Sequence, residues 1–202
     1  MPVIVALGDS NTWGYNPATQ TRFARDVRWT GVMQRELGPE HLVIEEGLNG
    51  RTTIYEDPEA SHRRGDEYLP PCLRSHAPLD LVILALGCND VKERFRASPE
   101  DIAAGMETLI DIAVEEGAAN ILVVAPPPLA RLTGFAEMFV GGAKKSRALP
   151  ALYRKLAERR GVGFVDAGQF IACSELDGIH YEPHDHETLG KVLAEAVRMM
   201  LA

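Results

Sequence analysis

Short apolar runs recur along the chain, and helical patterns lie between them. Val3 to Leu7 is β-branched and apolar and runs into Gly8-Asp9-Ser10. Leu42 to Ile44 is weaker. Leu79 to Leu86 is the strongest run, apolar on both faces apart from Asp80, and Ile121 to Ala125 and Val162 to Val165 complete the set. Runs without alternation suit a parallel sheet covered on both faces. Trp29 to Leu37 predicts a short amphipathic helix ended by Gly38-Pro39. Pro99 to Glu116 places Ile102, Met106, Leu109, Ile110 and Ala113 at helical spacing, with Ser98 as N-cap, Pro99 at N1 and Gly117 as the stop. Ala143 to Arg160 is helical around Leu149, Leu152 and Leu156, with a kink or a late start expected at Pro150. His186 to Leu201 closes the chain with a further apolar stripe. Strands alternating with helices give βαβ units and a doubly wound α/β domain. Asn16 to Arg28, Arg51 to His76 and Pro126 to Gly142 read as long loops, the usual place for a site in such a domain.

The chain has 202 residues. Against about 150 residues per domain that length favours one domain, residues 1–202, with no interdomain linker or repeat to divide it. The formal net charge of −8 is spread along the sequence, which argues against nucleic acid as a partner because no basic stripe displaces counterions. Arg63-Arg64 and Lys144-Lys145 read as solvated surface. No apolar run approaches the ~20 residues needed to cross a bilayer. The first residues lack the basic flank of a leader. Three cysteines, Cys72, Cys88 and Cys173, form no C-x-x-C pair and read as reduced thiols in a cytoplasmic protein.

In an open α/β sheet, ligands bind beyond the carboxyl ends of the strands. Gly8-Asp9-Ser10-Asn11 follows the first run, Gly47 to Thr53 the second, Gly87-Cys88-Asn89-Asp90 the third, and Asp177-Gly178-Ile179-His180 the fifth. Ser10 at a strand-to-helix turn is a candidate nucleophile, weak until a base takes its proton. His180 is the candidate base, and Asp177 can reach the other ring nitrogen and fix the tautomer. The Ser10 and Gly50 backbone N–H groups and the Asn89 amide can donate to an oxyanion. Taken singly, each block has a bland reading: a capped turn, a helix cap, a chance Asp-x-x-His. His180, His184, His186 and Asp185 also suggest a metal, but their spacing matches no zinc pair with a carboxylate. Cys88 reads as a small packed residue rather than a nucleophile.

Together and in this order, the blocks resemble the SGNH, or GDSL-like, hydrolase family through Ser10, Gly50, Asn89 and His180, with Asp177 completing a triad. Asp26-Val27-Arg28-Trp29-Thr30-Gly31, Arg51-Thr52-Thr53, Tyr68-Leu69-Pro70 and Pro126-Pro127-Pro128-Leu129 are similar to its bacterial arylesterase/acyltransferase branch. The resemblance implies a flavodoxin-like three-layer α/β/α sandwich around a parallel sheet, and neither a metal nor an organic cofactor. It also implies hydrolysis of short-chain and aryl esters, acyl transfer to alcohols as well as water, and a homo-oligomer. A carbohydrate deacetylase and a non-catalytic ester- or carbohydrate-binding module remain as alternatives on the same fold. Asn11 stands where the family usually carries Leu, a residue that packs behind the nucleophile.

For the pocket, Trp13 lies about one turn past Ser10 and is expected either to wall off the acyl side or to enter the core. Phe135, Met138 and Phe139 are expected to roof the leaving-group side.

Overall fold

A computed structural model describes residues 1–202. Five parallel strands form the sheet: β1 (Val3–Gly8), β2 (Leu42–Gly47), β3 (Leu81–Ala85), β4 (Ile121–Ala125) and β5 (Gly163–Asp166). Their order is β2-β1-β3-β4-β5, the flavodoxin-like arrangement. The strands bury side chains on both faces, as continuous apolar runs require. Ile4, Ala6, Leu81, Ile83, Leu122 and Val124 face one core, under α2 (Trp29–Leu37) and α6 (Pro183–Leu201). Val5, Leu7, Val82, Leu84, Val123 and Ala125 face the other, under α3 (Gly65–His76), α4 (Pro99–Glu115) and α5 (Gly142–Arg160). No helix is long and apolar enough to cross a membrane.

The strand expected from Leu79 starts two residues later, because the Asp80 carboxylate is used elsewhere: its Oδ2 accepts the Val3 N–H at 2.7 Å and caps the start of β1. β2 reads weakly in the sequence because it is an edge strand whose second half carries Glu45 and Glu46.

The segment Arg51 to His76 is not a loop throughout. Its second half is α3, which contains Pro70 and Pro71 and buries Leu69, Cys72 and Leu73 on one face. The two prolines mask a helical stripe whose apolar contacts outweigh the hydrogen bonds they remove. Pro150 does not delay α5, which runs unbroken from Gly142 to Arg160. α6 begins before His186, at Pro183, behind a capping box formed by Glu182 and Asp185.

Strand order reverses between β1 and β3, and ligands gather at such a switch point beyond the carboxyl ends. β1 delivers Ser10 there through the four-residue helix α1 (Ser10–Trp13), and β3 delivers Asn89 through a short 3₁₀ turn.

Candidate active site

Ser10 opens α1, and Asp9 caps it by accepting the Asn11 N–H at 2.9 Å. α1 lies close against β2 because Gly47 has no side chain: a β-carbon there would come within 2.1 Å of the Trp13 nitrogen. The Ser10 hydroxyl sits 2.9 Å from Nε2 of His180, and Nδ1 of the same ring sits 2.6 Å from Oδ2 of Asp177. The other Asp177 oxygen accepts the N–H groups of Ile179 and His180 at 2.9 and 3.0 Å. Burial alone would raise the Asp177 pKa. The His180 ring and these backbone donors outweigh it and hold the pKa below its ordinary value. An ionised carboxylate on Nδ1 fixes the ring proton there and leaves Nε2 as an acceptor for the serine proton.

The loop carrying this pair is pinned at both ends. The Ser174 N–H donates to the His180 carbonyl at 2.7 Å, and the Ala130 N–H donates to the Gly178 carbonyl at 2.9 Å. Gly178 takes φ +83°, and a β-carbon on it would meet the Arg131 carbonyl oxygen at 2.6 Å. Asn11, buried beside the nucleophile, donates its side-chain N–H to the Ile179 carbonyl at 3.3 Å. It thereby ties the serine turn to the histidine loop.

Three candidate donors line the same cavity as His180. The Asn89 amide is held by the Arg51 carbonyl at 3.1 Å, with a longer contact of 3.4 Å to Asp9. Arg51 is itself buried and donates to the Gly8 and Glu46 carbonyls, which locks the segment after β2 onto the end of β1. The backbone N–H groups of Ser10 and Gly50 have no protein acceptor. Gly50 adopts φ +78°, a left-handed turn that favours glycine and lies at the rim of the cavity. Asp9 is buried behind these groups, and burial pushes its pKa up to about 6.

Ser10, Gly50, Asn89 and His180 line one cavity of about 270 Å³, together with Phe135, Met138 and Phe139. The structure therefore brings Ser10 and His180, with Asp177 behind the ring, the candidate donors Gly50 and Asn89, and the apolar side chains of Phe135, Met138 and Phe139 to one place. It does not bring Trp13 there. That ring is half-buried outside the cavity, beneath the Arg22 guanidinium at 5.1 Å, and belongs neither to the pocket nor to the core. The reason is the direction of α1, whose far end turns towards β2 and not over the hydroxyl.

Tyr15, Asn49, Lys92 and Ile179 complete the lining and were not expected. Tyr15 stacks on the His180 ring at 4.2 Å between centroids. Ile179 and Asn49 sit next to residues already singled out, so adjacency was the available signal. Lys92 follows Asn89 by one 3₁₀ turn and is buried. Arg63 is not solvated surface: it is half-buried against Gly50, and its Nε has no partner. Of the histidine-rich stretch, His184 is exposed, and His186 is fully buried with Nδ1 accepting the Trp29 N–H at 3.3 Å, so neither joins His180 at the cavity. Cys88 packs in the core, where burial and Asp9 keep its thiol protonated.

Comparison by sequence with curated proteins finds no match. Among solved structures, the chain is similar to the aryl esterase of M. smegmatis, with 44% identity, complete coverage of both chains and a TM-score of 0.96. It is also similar to a carbohydrate acetylesterase from Sinorhizobium meliloti, with 40% identity over 99% of this chain and 100% of that one and a TM-score of 0.97. A lipolytic protein of the G-D-S-L family from Veillonella parvula shares the fold at 12% identity, with a TM-score of 0.72 over 96% and 97% of the two chains. Residues 6–188 match the GDSL-like lipase/acylhydrolase family, and with that match spanning the sheet, the serine turn and the histidine loop, the chain belongs to that family.

Proposed function

We propose that this protein hydrolyses short-chain and aryl carboxylic esters through an acyl-enzyme on Ser10, with Asp177 and His180 as its partners. The observation that carries this reading is the unbroken chain Asp177 Oδ2 to His180 Nδ1 at 2.6 Å, then His180 Nε2 to Ser10 Oγ at 2.9 Å, opening onto a cavity.

Nε2 takes the hydroxyl proton as Oγ attacks the ester carbonyl carbon. The carbonyl oxygen becomes negative and is met by the Ser10 and Gly50 N–H groups, which have no protein acceptor, and by the Asn89 amide, which turns one N–H from its contacts with Arg51 and Asp9 to the oxyanion. When the carbon–oxygen bond breaks, the imidazolium returns its proton to the departing alkoxide. Asp177 stabilises the imidazolium while it exists. Water, deprotonated by the same Nε2, then attacks the acyl carbon and releases the acid and Ser10. The apolar roof of Phe135, Met138 and Phe139 limits water at the acyl-enzyme, which favours an alcohol as a competing acceptor and supports acyl transfer as a second outcome.

Turnover of p-nitrophenyl acetate, with loss on treatment with a serine-directed organophosphate and an intact-mass adduct on Ser10, tests this reading. Near-normal rates in Ser10→Ala, or an adduct elsewhere, overturn it; the expected loss in kcat is on the order of 10⁴ to 10⁶.

A second reading, release of acetate from acetylated sugars, is favoured by the likeness to the Sinorhizobium carbohydrate acetylesterase. It uses the same chemistry and differs in the alcohol. An acetylated monosaccharide turned over faster than an aryl acetate of equal intrinsic reactivity would favour it. A binding module without catalysis would bind such esters and turn none over.

A further inference from the structure

Two cations converge on Gly50, outside the chain of groups that the proposed ester chemistry uses. A β-carbon built on Gly50 would lie 3.6 Å from Arg63 Nε and 4.0 Å from Lys92 Nζ. The Lys92 side chain is 7% exposed, yet it lines the cavity. Its ammonium has one protein acceptor, Asp57 Oδ2 at the long distance of 3.4 Å, and it passes the Phe139 ring at 5.9 Å. An ammonium has three N–H donors, so the rest point to space or ligand. Asp57 is shared: its other oxygen takes the Arg94 guanidinium at 2.8 Å, and Arg94 in turn holds Glu59 at 2.6 Å. Arg63 forms no ion pair, and its Nε is buried without a partner. Lys92 thus lines the cavity with only a long contact to an Asp57 that Arg94 already engages, and Arg63 lies against Gly50 without an ion pair. Of the carboxyl groups on this side of the sheet, Asp177 is held by His180, while Asp9 accepts the Asn11 N–H and lies near enough to feel the Lys92 charge.

A buried cation with unused donors is retained at a cost unless a ligand meets it. We propose that Lys92 and Arg63 form an anion subsite on the rim of the cavity, so that the favoured substrates are esters carrying a carboxylate or similar acidic oxygen group a few ångströms from the reacting carbonyl. The inference rests on the ester-hydrolase reading and narrows its substrate class. The anion accepts N–H bonds from the Lys92 ammonium and the Arg63 guanidinium, while Ser10 and His180 do the chemistry on the carbonyl.

The test compares esters that differ in charge and little in shape: 3- and 4-acetoxybenzoate against the matching acetoxybenzamides, and the 4-nitrophenyl monoester of adipate against that of adipamate. Each kcat/KM is divided by the hydroxide-catalysed rate of the same ester. The first series places the charge on the alcohol and the second on the acyl group. The expected result is a preference for the anion of about tenfold or more in one series, the size of one charge-assisted hydrogen bond. It weakens as salt is raised from about 0.01 M to 1 M, while the neutral ester does not respond in the same way. Lys92→Met or Arg63→Met removes the preference, and Lys92→Arg keeps it. The ratio is taken within each variant, so a change in overall rate does not obscure it, and Arg63→Met decides the matter if Lys92→Met fails to fold. No preference in either series, or one that survives both methionine variants, overturns the subsite. Failure to turn over the neutral esters, with Ser10 unlabelled by organophosphate, would instead sink the hydrolase reading itself.

Discussion

The Tyr15 ring lies against the His180 ring, 4.2 Å between centroids and tilted by 33°. Tyr15 lies two residues past the end of α1 and is held by a bridge to Arg22, so the turn that carries Ser10 also packs on the face of the His180 ring. Phe135 approaches the same imidazole edge-on at 6.3 Å. The His180 ring, the proposed base, is thus held by aromatic faces as well as by Asp177.

Tyr15→Ala removes that support, and a base displaced by about 1 Å can lose on the order of 10²-fold in rate. The expected loss in kcat/KM is ten- to a hundredfold in steady-state kinetics on an aryl acetate. Tyr15→Phe keeps the ring and is expected to stay near the parent rate. Equal losses in the two variants would transfer the role to the hydroxyl.

Much of this arrangement was legible in the sequence, and the reasons are physical. Strands buried on both faces must be apolar throughout, so β1, β3 and β4 announce themselves, and chemistry in such a sheet must follow their carboxyl ends. Ser10, Asn89, Asp177 and His180 all do so. What stayed hidden depends on direction, which spacing does not carry. Trp13 sits about a turn from Ser10, yet its ring turns to Arg22. Arg63 reads as solvated surface and Lys92 carries no signal of its own, because nothing local says that the segment after β2 will bring Gly50 against both. α3 was obscured by Pro70 and Pro71, whose local cost is offset by the burial of Leu69, Cys72 and Leu73.

Asn89→Ala removes one of the proposed oxyanion donors while Ser10, His180 and Asp177 stay in place. The expected loss in kcat is on the order of 10² to 10³, with KM changed much less, since the donor acts mainly when charge develops on the oxygen. A rise in KM alone would make Asn89 a residue that binds the ground state.

Asp177→Asn keeps the shape of the orienting residue and removes its charge. A wrong tautomer or an unstabilised imidazolium lowers kcat by on the order of 10⁴. The same variant reports on stability. The folded pKa of Asp177 is depressed below 3.8, so its ionised form stabilises the fold above that pH, and this contribution is lost as pH falls through the folded value. Denaturant melts should therefore show the gap between parent and Asp177→Asn shrinking in acid. A gap independent of pH would mean that the carboxylate's charge does not support the fold.

Asp90 has the opposite sign. It is fully buried, one oxygen accepts the Thr53 N–H at 2.8 Å and the Thr53 hydroxyl, and the other has no partner. Burial pushes its pKa up to about 6 from 3.8. The folded state then binds a proton that the unfolded chain has released, so stability falls as pH rises between about 4 and 6. The penalty above that window is about 3 kcal/mol at 1.36 kcal/mol per pKa unit. Asp90→Asn keeps the Thr53 contacts and cannot ionise. Relative to the parent it is expected to gain up to about 3 kcal/mol in unfolding free energy between pH 4 and pH 7. A difference flat across that range, measured by urea unfolding, would show that Asp90 is not a buried acid of raised pKa.

Asn11 offers a comparison between stability and activity at a single position. Its amide N–H reaches the Ile179 carbonyl at 3.3 Å, but its own carbonyl oxygen is buried without a partner. An unsatisfied buried acceptor costs about 1–3 kcal/mol, more than a long hydrogen bond returns. Asn11→Leu removes both the orphan oxygen and the tether between the serine turn and the histidine loop. The variant is expected to unfold at a higher temperature, by a few degrees for about 1 kcal/mol in a chain of this size. Its kcat is expected to fall severalfold to tenfold, because the loop bearing Asp177 and His180 loses a fixed point beside Ser10. Thermal unfolding and steady-state rates on one preparation decide the matter. If Asn11→Leu is less stable, the pocket behind Ser10 is too tight for a branched side chain, and asparagine is there for its shape. If it is more stable with an unchanged kcat, the contact to Ile179 does nothing for the placement of His180.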